Sequence, residues 1–119
     1  MNRREVGNVG ESIAVDYLKA HGYKIIKRNF RCQSGEVDII AKKGGDIYFV
    51  EVKFRKNNRC GDPLESITLN KRRQIVKIAK IYLSKIKKEI NCHFSAIGVT
   101  LDDNRNPTVR FIEDAFEAC

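Results

Sequence analysis

Two carboxylates and an amine, Asp38, Glu51 and Lys53, lie within the stretch GEVDIIAKKGGDIYFVEVKF, residues 35–54. The stretch reads as two β-rich runs about a Gly44-Gly45 turn. With Lys43 facing Asp46, in a two-residue or a four-residue loop, Asp38 falls opposite Glu51 and Glu36 opposite Lys53. Side chains alternate across a strand, so Glu36, Asp38, Glu51 and Lys53 share one face, continued by Ile40 and Phe49. The other face is Val37, Ile39, Ala41, Tyr48, Val50, Val52 and Phe54. Like charges set opposite each other destabilise a sheet by some tenths of a kcal/mol, and by more where water is displaced. A hard divalent cation such as Mg²⁺ would compensate, because it takes oxygen ligands and keeps several waters. Lys53 points the same way as Glu51 and could orient or deprotonate a bound water, or stabilise a developing phosphate charge. The competing reading is a surface ladder in which Lys53 neutralises Glu36 and Glu51 while Asp38 is solvated.

The elements that would position these groups follow from periodicity. A first helix is expected over residues 6–21, with Val6, Val9, Ile13, Tyr17 and Leu18 at helical spacing and Gly22 to end it. Asn8 with Glu11 fits a capping box, or the helix starts nearer Asn2. Residues 23–30 read as a strand, RCQSG as a loop, and RKNNRCGDP (residues 55–63) as a mobile basic loop. A long helix follows from Thr68 or Asn70 to Ile90, with Ile75, Ile78, Ala79, Tyr82, Ile86 and Ile90 in one stripe. Strands are expected over residues 93–101 and 108–112. The order α-β-β-β-α-β-β, with a helix joining the third and fourth strands, predicts a mixed α/β sheet covered by helices.

At 119 residues the chain is read as one domain, 1–119. No apolar run reaches the roughly 20 residues that span a bilayer, and MNRREVGNVGES has no signal-peptide core, so a cytoplasmic location is expected. The four cysteines are widely separated, which suits reduced thiols better than zinc or disulfides. Net charge is +8, and between Ser66 and Lys88 there are eight Lys or Arg residues and no acid. Such a surface attracts a polyanion, in cytoplasm most often nucleic acid; a solvated lysine-rich helix is the plainer reading. Membrane-surface binding has no lipidation or aromatic signal beside it.

The motifs GNVGESIAVDYL, GYKIIKRNFR, GEVDIIA, YFVEVKFR and LNKRRQIVKIAKIYL together resemble the YraN-like family of bacterial proteins, from about Val6 to Phe116. That family is similar to archaeal Holliday-junction resolvases and so to the PD-(D/E)xK nuclease superfamily, with its restriction-endonuclease-like fold. The resemblance implies a metal site of Asp38, Glu51 and the backbone carbonyl of Val52, with Lys53 catalytic. It adds Glu11 as a ligand, directly or through water. A Glu near a helix N-terminus is also favoured by the macrodipole, so for Glu11 a structural reading stands level with the functional one. Two positions depart from the pattern. Val37 stands where the superfamily's name has Pro, and His93-Phe94-Ser95 replaces a common Arg-Phe-Asp, which removes a supporting carboxylate. His93 itself reads as a strand-end residue rather than a ligand.

The expected function is a Mg²⁺-dependent endonuclease (Mn²⁺ also suits) that hydrolyses DNA, including branched DNA. Arg31, Arg55, Lys71 and Arg72 would hold the phosphate backbone. A homodimer is expected if the substrate is a two-fold four-way junction. The alternatives are a non-catalytic nucleic-acid-binding module that keeps the fold, and a structural or interaction protein whose charges solubilise it.

Overall fold

A computed structural model of the chain describes the backbone of residues 3–55 and 67–118, with side chains from residue 9 onward. The expected loop at residues 55–63 lies outside these residues except for Arg55, as do Cys60 and Cys119. The elements are α1 (Arg3–Ala20), β1 (Lys24–Cys32), β2 (Gly35–Lys43), β3 (Asp46–Arg55), α2 (Leu69–Ser84), β4 (Cys92–Leu101) and β5 (Pro107–Phe116). The expected order α-β-β-β-α-β-β is the observed one. No described helix is long and apolar enough to cross a membrane.

The strands form one sheet in the order β1-β2-β3-β4-β5. Only β3 and β4 are parallel, and α2 is the crossover that joins them. Neighbouring residues Ile39 and Ile40, or Tyr48 and Phe49, point to opposite faces and enter separate cores. Ala14, Val15 and Leu18 of α1 pack on Ile39, Ala41, Tyr48, Val50 and Ile97. Ile75, Ile78 and Ala79 of α2 pack on Val37, Ile40, Ile47, Phe49 and Phe94. The sheet is therefore a middle layer between two helices, and both faces of its central strands are apolar, as the sequence pattern requires.

The expected hairpin register is present, from Lys43 opposite Asp46 to Ile39 opposite Val50. The ladder stops there, and that produces a correction. Val37 belongs with Ile40 and Phe49 on the α2 side, not with Ile39 and Ala41. Strand alternation holds only while pairing continues. At this point β2 leaves β3, and Asn29 of neighbouring β1 takes a left-handed φ of 52°.

Several element ends also differ from expectation. β1 runs on to Cys32 and β2 starts at Gly35, so the expected RCQSG loop shrinks to a turn at Gln33-Ser34, because Arg31 and Cys32 pair with Glu36 and Gly35. The second helix stops at Ser84 rather than Ile90, because Lys85 and Ile86 donate to Tyr82 and Leu83 in tighter three-residue steps. Ile86 and Ile90 still pack against the α2-side core, but from the chain returning to β4. β5 runs on to Phe116, because the polar residues that seemed to end it have partners on the sheet. The Tyr48 hydroxyl donates to Glu113, and His93 bonds Asp114. His93 also bonds Asp46 and stacks on Tyr48, so it is a strand-end tie between three elements.

Gly10 sets the distance between α1 and β3. A Cβ at that position would lie 2.9 Å from Cβ and Cδ2 of Phe54. Gly10→Val is expected to lower the free energy of unfolding by about 1–3 kcal/mol in urea denaturation, as overpacking does. A stability equal to that of the parent would show that the helix can move outward without loss.

Candidate functional site

Asp38 and Glu51 meet where β2 parts from β3. In place of a ladder bond, the Asp38 carboxylate reaches across, and its Oδ2 accepts the Val52 amide at 2.8 Å. A strand residue projects its N–H and C=O toward the same neighbour, so the Val52 carbonyl also faces the opened β2 side. Glu51 is carried on β3 beside Phe49 and is only 4 % exposed. Its Oε2 is buried without a hydrogen-bond partner. Burial, a hydrogen bond with Asp38 and the charge of Asp38 push the Glu51 pKa up to about 8, against the opposing charges of Lys71 and Lys53.

α2 reaches this pair through its first turn. Thr68 caps the helix by accepting the Lys71 amide at 3.1 Å, which fixes where Lys71 emerges. The Lys71 Nζ donates to the Glu36 carbonyl at 3.0 Å and to Gln74 Oε1 at 3.1 Å, and lies 3.6 Å from Glu51 Oε2. Gly35 makes this arrangement possible. Its φ is +129°, and a side chain there would collide with Gln74, the residue that holds Lys71. The glycine of the GEVD motif thus serves the carboxylate pair through a helix distant in sequence.

Lys53 follows Glu51 by two residues on the same strand face and is half-buried, opposite Gly98 of β4. Glu11 is buried in the interior of α1, which spans Arg3–Ala20, so the macrodipole argument for it does not apply. Its Oε1 accepts from Arg28 Nε at 2.9 Å and from Asn29 Nδ2 at 3.1 Å. Asn29 lies between Arg28 and Phe30, whose partners Ile39 and Val37 flank Asp38, so Glu11 is linked to the site through β1. Among the described residues no three or more His, Cys, Asp or Glu side chains gather in a metal-binding group.

The basic residues separate. Arg31 is exposed and pairs with Glu36 at 2.8 Å. Arg55 ends β3 and is half-buried. Arg72 turns away from Lys71 and places its guanidinium over the Phe116 ring, 5.8 Å from its centre. Lys88 lies by the Gly44-Gly45 turn, at the far end of β3 from Lys53. Lys71 lies nearer the carboxylates than Lys88, as its place at the start of the basic helix leads one to expect; its contact with Gln74, and Gln74 itself, are what sequence reasoning missed. The available signal was their phase: residues 71, 74, 75 and 78 follow one helical stripe, so both polar side chains belong on the sheet-facing side with Ile75 and Ile78.

The donors are hard oxygens: two carboxylates, one with a buried and unbonded atom, and a carbonyl facing the same gap. They suit a small divalent cation that retains water, and they leave positions open for a second ligand. The class defined here is a mixed α/β domain with a carboxylate pair at a parting of two strands, covered by the first turn of a basic helix. The chain belongs to the UPF0102 (YraN-like) family: the model of uncharacterised protein family UPF0102 matches residues 10–99. It is 45 % identical to a UPF0102 protein of Geotalea uraniireducens over 98 % of this chain and 92 % of that one. It is 44 % identical to one from Caldicellulosiruptor saccharolyticus over 98 % of this chain and all of the relative. A Clostridium botulinum relative is 44 % identical, over 96 % of this chain and 95 % of its own length.

Proposed function

We propose that the protein is a metal-dependent endonuclease that hydrolyses phosphodiester bonds in DNA, with a restriction-endonuclease-like sheet as its scaffold. The observation that carries this reading is the buried, unbonded Oε2 of Glu51 beside Asp38. A sheet serving only as a structural layer gains nothing from a second carboxyl there, which burial and Asp38 hold toward its protonated form and whose charge is offset by Lys71 only at 3.6 Å. Asp38, Glu51 and the Val52 carbonyl would hold Mg²⁺ or Mn²⁺, and Glu11 would act through its contacts on β1. The ion supplies Lewis-acid polarisation of the phosphate and lowers the pKa of water. Water attacks phosphorus in line with the leaving oxygen. Lys53 orients that water and donates to the phosphate oxygen on which charge grows. Arg31 and Arg55 would hold the strand beside the carboxylates, and Arg72 where it crosses the first turn of α2; Lys71 has its donors engaged by Glu36, Gln74 and Glu51.

The test is cleavage of duplex, flap and four-way-junction DNA with Mg²⁺, with Mn²⁺ and with EDTA. Lys53→Ala is expected to cut on the order of a hundredfold more slowly while still binding metal, as when a preorganised electrostatic contact is lost. Cleavage at the parent rate would remove Lys53 from the mechanism. One observation favours a second reading, a non-catalytic nucleic-acid-binding module: Lys71 already brings a positive charge to Glu51. A parent protein that binds branched DNA tightly and never cuts it would establish that reading instead.

A further inference from the structure

On the flank of α2 away from Glu51 a groove of about 610 Å³ runs between the helix and the end of β5. Its apolar lining is Leu69, Val76, Ala115 and Phe116, and Leu69 is 60 % exposed. Among the described residues its cations are Arg72, Arg73, Lys77 and Lys80, and its acid is Glu117. The last three cations are spaced by four and three residues, roughly 6 and 4.5 Å along the helix axis.

We propose that this groove binds an unpaired strand of the nucleic acid whose backbone the candidate site engages. The proposal rests on the nucleic-acid reading above and adds the form of the substrate: DNA with a single-stranded segment beside a duplex. Charge complementarity selects a polyanion. The apolar floor selects unpaired nucleotides over duplex, because a duplex shows phosphates outward and buries its bases, whereas a free strand offers base faces to apolar and aromatic surface. Arg72 over Phe116 forms a platform for one such base. The groove is also continuous with the site. Consecutive residues of one helical turn, Lys71 and Arg72, face Glu51 and the groove respectively, so a strand leaving the carboxylates crosses that turn to enter it.

The test is fluorescence anisotropy in EDTA, with oligo-dT, a blunt duplex, and the same duplex carrying an oligo-dT tail. The parent is expected to bind the tailed duplex about tenfold more tightly than the blunt one, which is the worth of one stacked base. Leu69→Ser should erase most of that preference without a change in charge. Lys77→Ala with Lys80→Ala should lower the salt slope for the tail by about 0.7 per cation. Ultraviolet crosslinking of an iododeoxyuridine tail should map to Phe116 or to this side of α2. Equal affinity for blunt and tailed DNA overturns the proposal, as does a crosslink elsewhere. Binding of poly-Glu but not oligo-dT also overturns it, in favour of an acidic protein segment. A tail preference in a protein that cuts no DNA sustains the groove and removes the nuclease; cleavage without a tail preference does the reverse.

Discussion

Glu51→Gln is expected to abolish metal-dependent DNA cleavage while leaving metal-free DNA binding unchanged or tighter. The amide keeps the size of the carboxyl group but removes the charge that would hold a cation. The Glu51 Oε2 is buried and accepts no hydrogen bond from the described residues, so only the more distant charge of Lys71 faces it. The Val52 amide is already bonded to Asp38, and the Lys71 amine is 3.6 Å away with other acceptors. Losing one negative charge near the phosphate path also lowers repulsion of the substrate. The two readouts are gel cleavage with Mg²⁺ and anisotropy in EDTA. Parent-level cutting by the variant would mean that the activity arises elsewhere on the protein or from a contaminant.

The second large effect is on stability. A carboxyl whose pKa is raised from 4.5 to about 8 on folding binds its proton more tightly in the folded state. Its contribution is fully present below about pH 4.5 and is lost as pH rises through about 8. Metal-free protein is therefore expected to lose stability between pH 5 and pH 9, by on the order of a few kcal/mol. Mg²⁺ should restore it at the alkaline end and do little at the acid end, where the proton competes. His93 slopes the same way. Burial opposes its charged form, but the hydrogen bonds and charges of Asp46 and Asp114 prevail and raise its pKa. Glu51→Gln isolates the carboxyl term, since the variant should keep only the His93 slope. Urea denaturation across pH checks both, and an unchanged profile in the variant would show that Glu51 ionises freely in the folded state.

The hairpin register was legible because a glycine pair fixes the turn and each step from it flips the side-chain face. Asp38 and Glu51 do converge, although Asp38 stands one residue past the last ladder pair and reaches Glu51 by bonding the Val52 amide. Val37 was misplaced because parity no longer assigns faces once β2 leaves β3, and that parting depends on β1 and on Asn29. Lys71 was legible as a cation near the sheet, but its engagement with Glu51 depends on Gln74 and on the space over Gly35. Those contacts join residues 35, 51, 71 and 74, which no local pattern relates. β5 was cut short for a similar reason: Glu113 and Asp114 look like a polar exit until Tyr48 and His93 are placed beside them.

β1 forms one open edge of the sheet, where strands of two molecules could add to each other and start aggregation. Its register shifts between Ile25 and Lys27, which breaks the even spacing that an incoming strand would need. Lys24 and Lys27 stand on either side of that shift and are exposed, so a second copy approaching in the same way meets its own charge. The broken spacing and the like charges both disfavour pairing of this edge with the same edge of a second copy.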